Sequence, residues 1–214
     1  MGSSFTDNNI NKQSDKQKNN SLHQKNRSLF ILNGWVQGIL HCPSANFNER
    51  ESELDINLLV IHNISLPPGE FGGGYVQSFF CNKLDARKHA YFSEIATLKV
   101  SAHLLIERCG AITQFVSFND RAWHAGVSCF NGRDNCNDFS IGIELEGCDE
   151  QAYTAAQYHA LQLVTKAIML QYPAINIGRI TGHSDIAPGR KTDPGGAFDW
   201  RLYRAGVGGD EQLF

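Results

Sequence analysis

A run of four apolar residues, 58–61 (LLVI), constrains the fold more than any other feature of this sequence. The run follows polar residues and ends at His62, which is typical of a central strand buried on both faces of a sheet. Residues 139–146 (FSIGIELE) alternate between apolar and polar or small side chains, which predicts a second strand with one face toward the core. Such a sheet must be covered, so the rest of the chain has to provide helices.

The remaining segments provide these covering elements. Thr154 and Gln157 have the spacing of a capping box, and the helix they open carries an apolar stripe of Tyr158, Leu161, Val164 and Ile168. Periodicity and turn residues predict, in chain order, a loop at 67–74, a hairpin over 104–116 that turns near Gly110, a helix over 154–171, a strand at 179–182 and a short helix at 197–204. We therefore predict an α+β (mixed α/β) fold with a single central β-sheet flanked by helices.

Composition separates a tail from one domain. Residues 1–28 are rich in Asn, Lys, Gln and Ser, which predicts a disordered polar tail ahead of a domain at 29–214. No apolar run approaches the ~20 residues of a membrane span, and no apolar core of a secretory signal follows the basic tail residues. The net charge of −3 does not favour nucleic acid as a partner. The six cysteines form no C-x-x-C pair, which is typical of reduced, mostly buried thiols. We expect a cytoplasmic monomer without membrane contact.

Two of the eight histidines are distinguished by their positions. His62 and His183 each end a strand-like run and precede a loop rich in Pro and Gly, and Asp193 follows His183 after ten residues. Two imidazoles and one carboxylate make a three-ligand zinc set whose open fourth position can take water, and zinc lowers the pKa of that water to roughly 7. The alternative is two strand-end histidines and a turn aspartate that caps its own loop. Four others are surface or hydrogen-bonded structural histidines in our interpretation: His41, His89, His103 and His159.

Glu144 is the candidate proton carrier. Gly142 on the same strand face leaves room for another group to approach, and Glu146 shares that face and competes for the role. Lys191 lies two residues before Asp193, so in an extended segment both side chains point the same way. A lysine beside a metal-bound oxyanion would stabilise the developing negative charge. The alternatives are a solvated carboxylate on a half-exposed strand and an ordinary surface lysine. Residues 123 and 124 (WH) could form a ledge that contacts a sugar or a peptide, with core packing as the alternative.

Four motifs in this order make the chain similar to the N-acetylmuramoyl-L-alanine amidase family of zinc amidases and peptidoglycan-recognition domains. They are residues 60–65 (VIHNIS), 121–126 (RAWHAG), 140–147 (SIGIELEG) and 181–195 (TGHSDIAPGRKTDPG). The resemblance covers about residues 34–204. Residues 62–73 (HNISLPPGEFGG) are especially like the cytosolic branch of the family, whose substrate carries the anhydro form of the sugar.

The resemblance implies a function and a set of roles. The implied reaction is zinc-dependent hydrolysis of the amide between the lactyl group of a muramic sugar and L-alanine of the stem peptide, during peptidoglycan recycling. One Zn²⁺ per chain would be held by His62, His183 and Asp193. Glu144 takes the position of the catalytic carboxylate and Lys191 that of the lysine that stabilises the transition state. The implied partner is a small muropeptide, contacted by Asn63, Lys99, Trp123 and His124.

Two positions depart from the family pattern, and two other functions stay open. Lys99 and Asn135 fall where we expect arginines for the stem-peptide carboxylates; lysine loses the bidentate fork and asparagine loses the charge. A murein amidase that acts on intact peptidoglycan would need an export signal. A metal-free peptidoglycan-binding module would lack a zinc ligand or the glutamate, whereas this sequence has all three ligand residues and Glu144.

Overall fold

The computed structural model describes residues 28–208, so residues 1–27 of the predicted tail and residues 209–214 lie outside the described part. The strands, in chain order, are β1 Ile31–Leu32, β2 Trp35–Val36, β3 Leu40–His41, β4 Phe47–Glu49, β5 Leu58–Ile64, β6 Leu104–Ile106, β7 Ile112–Gln114, β8 Asp120–Ala122, β9 Cys129–Phe130, β10 Arg133–Asp134, β11 Ser140–Glu146 and β12 Ile180–Gly182. The helices are α1 Tyr75–Phe80, α2 Ala90–Ile95, α3 Ala155–Gln171, α4 His183–Ile186 and α5 Trp200–Gly208, with 3-10 turns at Glu53–Asp55, Cys136–Asp138 and Ile177–Arg179.

One mixed sheet of six strands forms the centre, in the order β12-β5-β11-β6-β7-β3. Strands β12, β5, β11 and β6 are parallel, β7 is antiparallel to β6, and β3 pairs parallel with β7. Among residues 28–208, three two-stranded ribbons accompany it, formed by β1–β2, β4–β8 and β9–β10. The predicted mixed α/β class with a central sheet and flanking helices is confirmed.

The register of β5 and β11 assigns the two faces of the sheet. Leu58 pairs with Ser140 and His62 pairs with Glu144, so these even-numbered residues share one face. The opposite face belongs to a core cluster with α3, whose members include Leu59, Ile61, Ile141, Ile143, Leu145, Leu161, Val164 and Ile168. Apart from Asn63, which pairs with Leu145, the odd-numbered residues of both strands are apolar. The other polar residues of the two strands, His62, Ser140, Glu144 and Glu146, therefore lie together on the other side of the sheet.

All seven residues of β11 are buried, on both faces. The half-exposed strand that we weighed for the alternating segment is therefore wrong, and Glu144 is not a solvated carboxylate. The polar face is covered because the chain after β8 folds over it. The ring of His124, in that chain segment, lies directly against Gly142. A second core, away from this point, joins α1 and α2 to the sheet through Val76, Phe79, Phe80, Phe92 and Leu105.

Local signals predicted the long elements well. Helix α3 begins after Thr154 with the predicted capping box, and the hairpin turns at Gly110, whose φ of +84° suits glycine. Helix α5 lies three to four residues later than predicted, because Asp199 accepts a hydrogen bond from the backbone N of Leu202 and so caps it there. Helices α1 and α2 were not predicted, since each has only six residues.

All six cysteines are free thiols, but the expectation that most are buried is wrong. Only Cys136 is buried, whereas Cys109 in the β6–β7 turn and Cys129 in a two-residue strand are exposed. Their positions in short peripheral elements leave no layer to cover them. None of the helices between residues 28 and 208 combines the length and apolar character needed to cross a bilayer.

Candidate active site

The sheet order brings the two distinguished histidines together. Strands β5 and β12 are parallel neighbours, so their carboxyl ends meet at one edge. His62 lies near the end of β5, and His183 follows β12 directly as the first residue of α4. Asp193 lies on the loop after α4. Its backbone carbonyl accepts a hydrogen bond from the backbone N of Ser184 at 2.9 Å. That hydrogen bond closes the loop and returns Asp193 to its histidine.

Three side-chain atoms form a small triangle at this edge. Nδ1 of His62 lies 3.0 Å from Nδ1 of His183, and Oδ2 of Asp193 lies 3.0 Å and 3.1 Å from these two nitrogens. Ligand atoms at ~2.0 Å from a tetrahedral zinc ion lie about 3.3 Å apart, so the triangle has the size of three corners of such a site. Both imidazoles are buried and the carboxylate is 13% exposed.

The outer nitrogens show what the triangle offers. Nε2 of His183 lies 3.0 Å from the carbonyl O of Ala125, which can only accept, so Nε2 carries the proton and Nδ1 presents a lone pair. In the same tautomer, Nε2 of His62 donates to Nδ1 of His124 at 2.9 Å. Two lone pairs and a carboxylate then face one another, an arrangement that needs a cation. The donor set, with its open fourth corner, fits zinc.

Electrostatics favour the ligand forms of these groups. Burial lowers the pKa of His62 to about 4, against the opposing effect of Asp193, so the imidazole is neutral at pH 7. Burial acts to raise the pKa of Asp193, but the neighbouring His183 and His62 hold it well below its ordinary value. A neutral imidazole and an ionised carboxylate are the forms that coordinate a metal.

Glu144 lies beside the triangle, paired in register with His62. It is 9% exposed, and its Oε2 has no hydrogen-bond partner among residues 28–208. Burial raises the pKa of Glu144 well above its ordinary value, the charge of Asp193 adds to the rise, and Lys191 opposes it. A buried carboxyl group that lacks a partner and holds its proton readily suits a group that transfers protons.

The other carboxylate on this face behaves differently. Glu146 is also buried, but Oε1 accepts from the backbone N of Gly72 and Oε2 from the backbone N of Arg108 at 3.1 Å. It therefore ties the 67–74 loop and the β6–β7 turn to β11. Of the two glutamates that competed for the role of proton carrier, only Glu144 keeps a carboxylate oxygen unpaired within the described part of the chain.

The four predicted substrate contacts differ in their partners and in their exposure. The side-chain N of Asn63 donates to Asp149 at 2.8 Å, Trp123 Nε1 donates to Asn48 at 2.6 Å, and Lys99 is exposed. His124 differs, because both its ring nitrogens are used within the protein, by His62 at 2.9 Å and by Ser140 Oγ at 3.1 Å. Burial and the neighbouring His62 hold the pKa of His124 well below its ordinary value.

Three features of the site escaped the sequence interpretation. Arg190 donates to the carbonyl oxygens of Ala125 and Val127 at 2.7 Å and 2.6 Å, and so holds the segment that contacts His183. The space beside Gly142 is filled by the ring of His124. Asn135 has a φ of +59°, which asparagine tolerates better than the arginine we expected there. Arg190 belongs to the 181–195 motif and Ala125 to the 121–126 motif, so both parts of this contact were recognised in the sequence. Only the structure shows that the two motifs touch.

Comparison with known proteins agrees with this site and fold. The profile of the N-acetylmuramoyl-L-alanine amidase family matches residues 52–196. The 1,6-anhydro-N-acetylmuramyl-L-alanine amidase AmpD of Haemophilus influenzae is 61% identical over 177 residues, which cover 83% of this chain and 96% of the relative. A crystal structure of a selenomethionine AmpD derivative has a TM-score of 0.81 at 53% identity and covers 83% of this chain and 99% of its own.

A structure solved with a bound ligand is also similar to this chain. The crystal structure of AmpDh3 from Pseudomonas aeruginosa with anhydromuramic pentapeptide has a TM-score of 0.52 at 34% identity and covers 72% of this chain and 60% of its own. A mixed α/β domain with a candidate metal site at the sheet edge thus has enzymes as its relatives. The chain belongs to the N-acetylmuramoyl-L-alanine amidase family.

Proposed function

We propose that this chain hydrolyses the amide between the lactyl group of (anhydro-)N-acetylmuramic acid and L-alanine of the stem peptide, with one zinc ion, in cytosolic peptidoglycan recycling. Water adds across the C–N bond, so the products are the lactyl carboxylate and the free amino group of the peptide. The observation that carries the proposal is the triangle of three electron-pair donors beside the unpartnered Oε2 of Glu144. The names of the relatives support the choice of substrate.

His62, His183 and Asp193 would hold the metal, in a zinc amidase domain at residues 29–214 that acts as a monomer. A bound zinc ion would supply Lewis acidity, which polarises an amide carbonyl and acidifies water. The protein contributes the fixed orientation of the three ligands, because the Ala125 carbonyl holds His183 and the 183–193 loop holds Asp193. The outer nitrogen of His62 is also occupied, so that ring cannot rotate freely.

Glu144 would accept the proton from the attacking water and deliver it to the alanine nitrogen. An amine leaves readily only when it is protonated, so this transfer is required for cleavage. The burial that raises the pKa of Glu144 favours the proton-holding form between the two transfers. Lys191 is exposed, and its charge acts on both Glu144 and His62, which supports a role for the ammonium group close to the reacting atoms. There it would stabilise the oxyanion.

Asn63, Trp123 and Lys99 would contact the muropeptide. Lys99 offers a single charge to a stem-peptide carboxylate rather than a bidentate fork, and Asn135 offers none. We therefore expect the enzyme to bind the stem peptide less tightly than a relative with arginines at both positions. Neither position touches the metal triangle, so the chemistry of the amide is independent of this difference.

The test is hydrolysis of anhydromuramyl-tripeptide by the whole chain, with products identified by mass and zinc measured by elemental analysis. We expect about one zinc per chain, loss of activity with a chelator and recovery when zinc is restored. His62→Ala should lose both zinc and activity. His159→Ala, on the exposed side of α3, is the matched control and should keep both. Hydrolysis that survives both chelation and His62→Ala would overturn the proposal.

Intact sacculi and cell fractionation distinguish the nearest alternatives. Cleavage of the free anhydromuropeptide without cleavage of sacculi, by a protein recovered with the cytosol, supports the recycling role. Equal cleavage of both would identify a murein amidase. Binding of the muropeptide without zinc and without cleavage would identify a recognition module.

A further inference from the structure

We propose that His124 is a positioning residue for the metal site: it fixes the tautomer and the orientation of His62. This inference rests on the proposed function, because it assumes that His62 binds a metal through Nδ1. His124 was first considered as a substrate contact, but both of its ring nitrogens are engaged inside the protein. What it touches is the outer nitrogen of a candidate ligand.

The hydrogen bonds form a chain with one consistent assignment of protons. With Nδ1 of His62 facing the metal position, Nε2 of His62 carries the proton and donates to Nδ1 of His124 at 2.9 Å. Nε2 of His124 then carries a proton and donates to Oγ of Ser140 at 3.1 Å. The second ligand is held in the matching way, since Nε2 of His183 donates to the Ala125 carbonyl at 3.0 Å. Adjacent residues 124 and 125 thus orient one ligand each.

The position of His124 is set by groups that do not depend on His62. Oδ1 of the buried Asn137 accepts from the backbone N of His124 at 3.1 Å and from that of Ala125 at 2.8 Å. Beneath the ring, Gly142 of β11 provides the floor: a Cβ there would lie 2.5 Å from both Cγ and Nδ1 of His124. Any side chain at 142 would therefore displace the ring.

The contact between the rings has the geometry of a hydrogen bond rather than of stacking. The His62 and His124 rings are nearly perpendicular, at 83°, with centroids 5.0 Å apart. A ring that served only to fill space would need no nitrogen at the δ position. A partner on the outer nitrogen of a metal-bound histidine typically contributes 10- to 100-fold to metal affinity.

Three substitutions separate the hydrogen bond from the volume of the ring. In His124→Asn the amide oxygen lies where Nδ1 was and can accept from His62, whereas in His124→Gln the amide lies one bond farther out, toward Ser140. His124→Phe keeps the ring and removes both nitrogens. We expect zinc affinity, measured by competition with a chromophoric chelator, to fall 10- to 100-fold in the Gln and Phe variants and to stay within about threefold of the wild type in the Asn variant.

Gly142→Ala provides a second test in which residue 124 remains a histidine. It should weaken zinc binding in the wild-type chain by displacing the ring. In a His124→Ala background the same change should have almost no further effect, since the ring it displaces is gone. Circular dichroism of each metal-free variant shows that the chain is folded before zinc is added.

Several outcomes would overturn the inference. Zinc affinity that is unchanged in His124→Phe, equally reduced in the Asn and Phe variants, or reduced by Gly142→Ala to the same extent in both backgrounds would each contradict it. These results differ from failure of the proposed function. A wild-type chain that binds zinc and cleaves the amide while the His124 variants bind as tightly refutes only the role of His124, whereas a wild type without zinc refutes both.

Discussion

Two neighbouring clusters of polar side chains lie under the same part of the sheet, and the fold treats them in opposite ways. In the first, Nδ1 of the buried His103 accepts from the backbone N of Gly142 at 2.9 Å, and Nε2 donates to the Asp120 carbonyl at 3.1 Å. Arg50 beside it donates to the backbone carbonyls of Phe118, Asn137, Asp138 and Ser140. Each polar group of this cluster has a partner of the opposite kind.

In the second cluster, the groups face one another without such partners. His62, His183 and Asp193 direct three electron-pair donors at one point, and Oε2 of Glu144 is buried and unpaired within residues 28–208. Unpaired buried polar groups destabilise a fold, and a chain that can satisfy His103 and Arg50 so completely can satisfy others. The contrast teaches that the second cluster is kept for something from outside the chain.

The largest effect that tests this contrast is on catalysis. Glu144→Gln removes the proton carrier but nearly preserves its shape, so we expect the rate of amide cleavage to fall by ~10²–10⁴ while zinc content is unchanged. Because Oε2 of Glu144 has no hydrogen bond within residues 28–208 to lose, the melting temperature of the variant should equal or exceed that of the wild type. Enzyme assay, elemental analysis and thermal denaturation of the same preparation measure all three.

Glu146→Gln is the matched control for this substitution. It lies on the same strand face two residues away, but its carboxylate accepts from two backbone N–H groups. Here we expect the free energy of unfolding to fall by about 1–3 kcal/mol, with a much smaller loss of rate. The reverse pattern, with the large loss of rate in Glu146→Gln, would transfer the role of proton carrier to Glu146.

The different origins of the two clusters also explain what sequence alone could predict. Strand β5, the alternation of β11 and the capped helix α3 depend on neighbours along the chain, and local patterns predicted them. Each histidine of the metal triangle was recognisable from the apolar, strand-like run that precedes it. What joins His62 to His183 is the adjacency of β5 and β12, whose pairing spans more than a hundred residues and leaves no local signal.

The contacts that hold the metal-binding histidines could not be predicted for the same reason. Gly142 was noted because it left room on the strand, but nothing in the sequence shows that His124 fills that room. Resemblance to the family brought the motifs together without saying how they touch. The hydrogen-bond network of the half-buried Arg50 was also missed, since its acceptors are backbone carbonyls, which carry no sequence signature.

The next effect concerns the paired cluster and acid stability. Burial, reinforced by the charge of Arg50, lowers the pKa of His103 from 6.5 to about 3. Between those values the unfolded chain binds this proton and the folded chain does not, so the free energy of unfolding falls as the pH falls below about 6.5. One proton corresponds to about 1.4 kcal/mol per pH unit, or roughly 3 kcal/mol across two units.

His103→Asn keeps an acceptor for the backbone N of Gly142 and removes the titrating group. We expect urea unfolding, measured from pH 4 to 8, to show a shallower pH dependence in the variant by up to about 1.4 kcal/mol per unit below pH 6.5. At pH 8 residue 103 is neutral in the folded and in the unfolded wild-type chain. The difference in stability between the two proteins at pH 8 therefore corrects for any loss that the substitution causes independently of pH. His62 also has a lowered pKa, so part of the slope remains. An identical slope in both proteins would contradict the assignment of a neutral His103.

Lys191 belongs to neither cluster, because its charged side chain is exposed. We expect Lys191→Ala to lower the rate by about 10- to 100-fold, less than for a buried oxyanion donor, because water screens the ammonium group. Lys191→Arg should recover part of the loss since it restores the charge. Zinc content should not change in either variant. A loss of zinc in Lys191→Ala would mean that the lysine supports the ligand loop instead.

The smallest effect concerns a polar group far from the metal that is fully paired. Oγ1 of Thr154 accepts from the backbone N of Gln157 at 3.1 Å and donates to the Arg108 carbonyl at 2.7 Å, so it caps α3 and attaches it to the β6–β7 turn. Thr154→Ala should lower the free energy of unfolding by about 1 kcal/mol, and Thr154→Ser, which keeps the hydroxyl, should lower it much less. Neither should change the rate of cleavage or the zinc content. A fall in rate without a fall in stability would show that paired polar groups also tune the site, and the division between the two kinds of cluster would then fail.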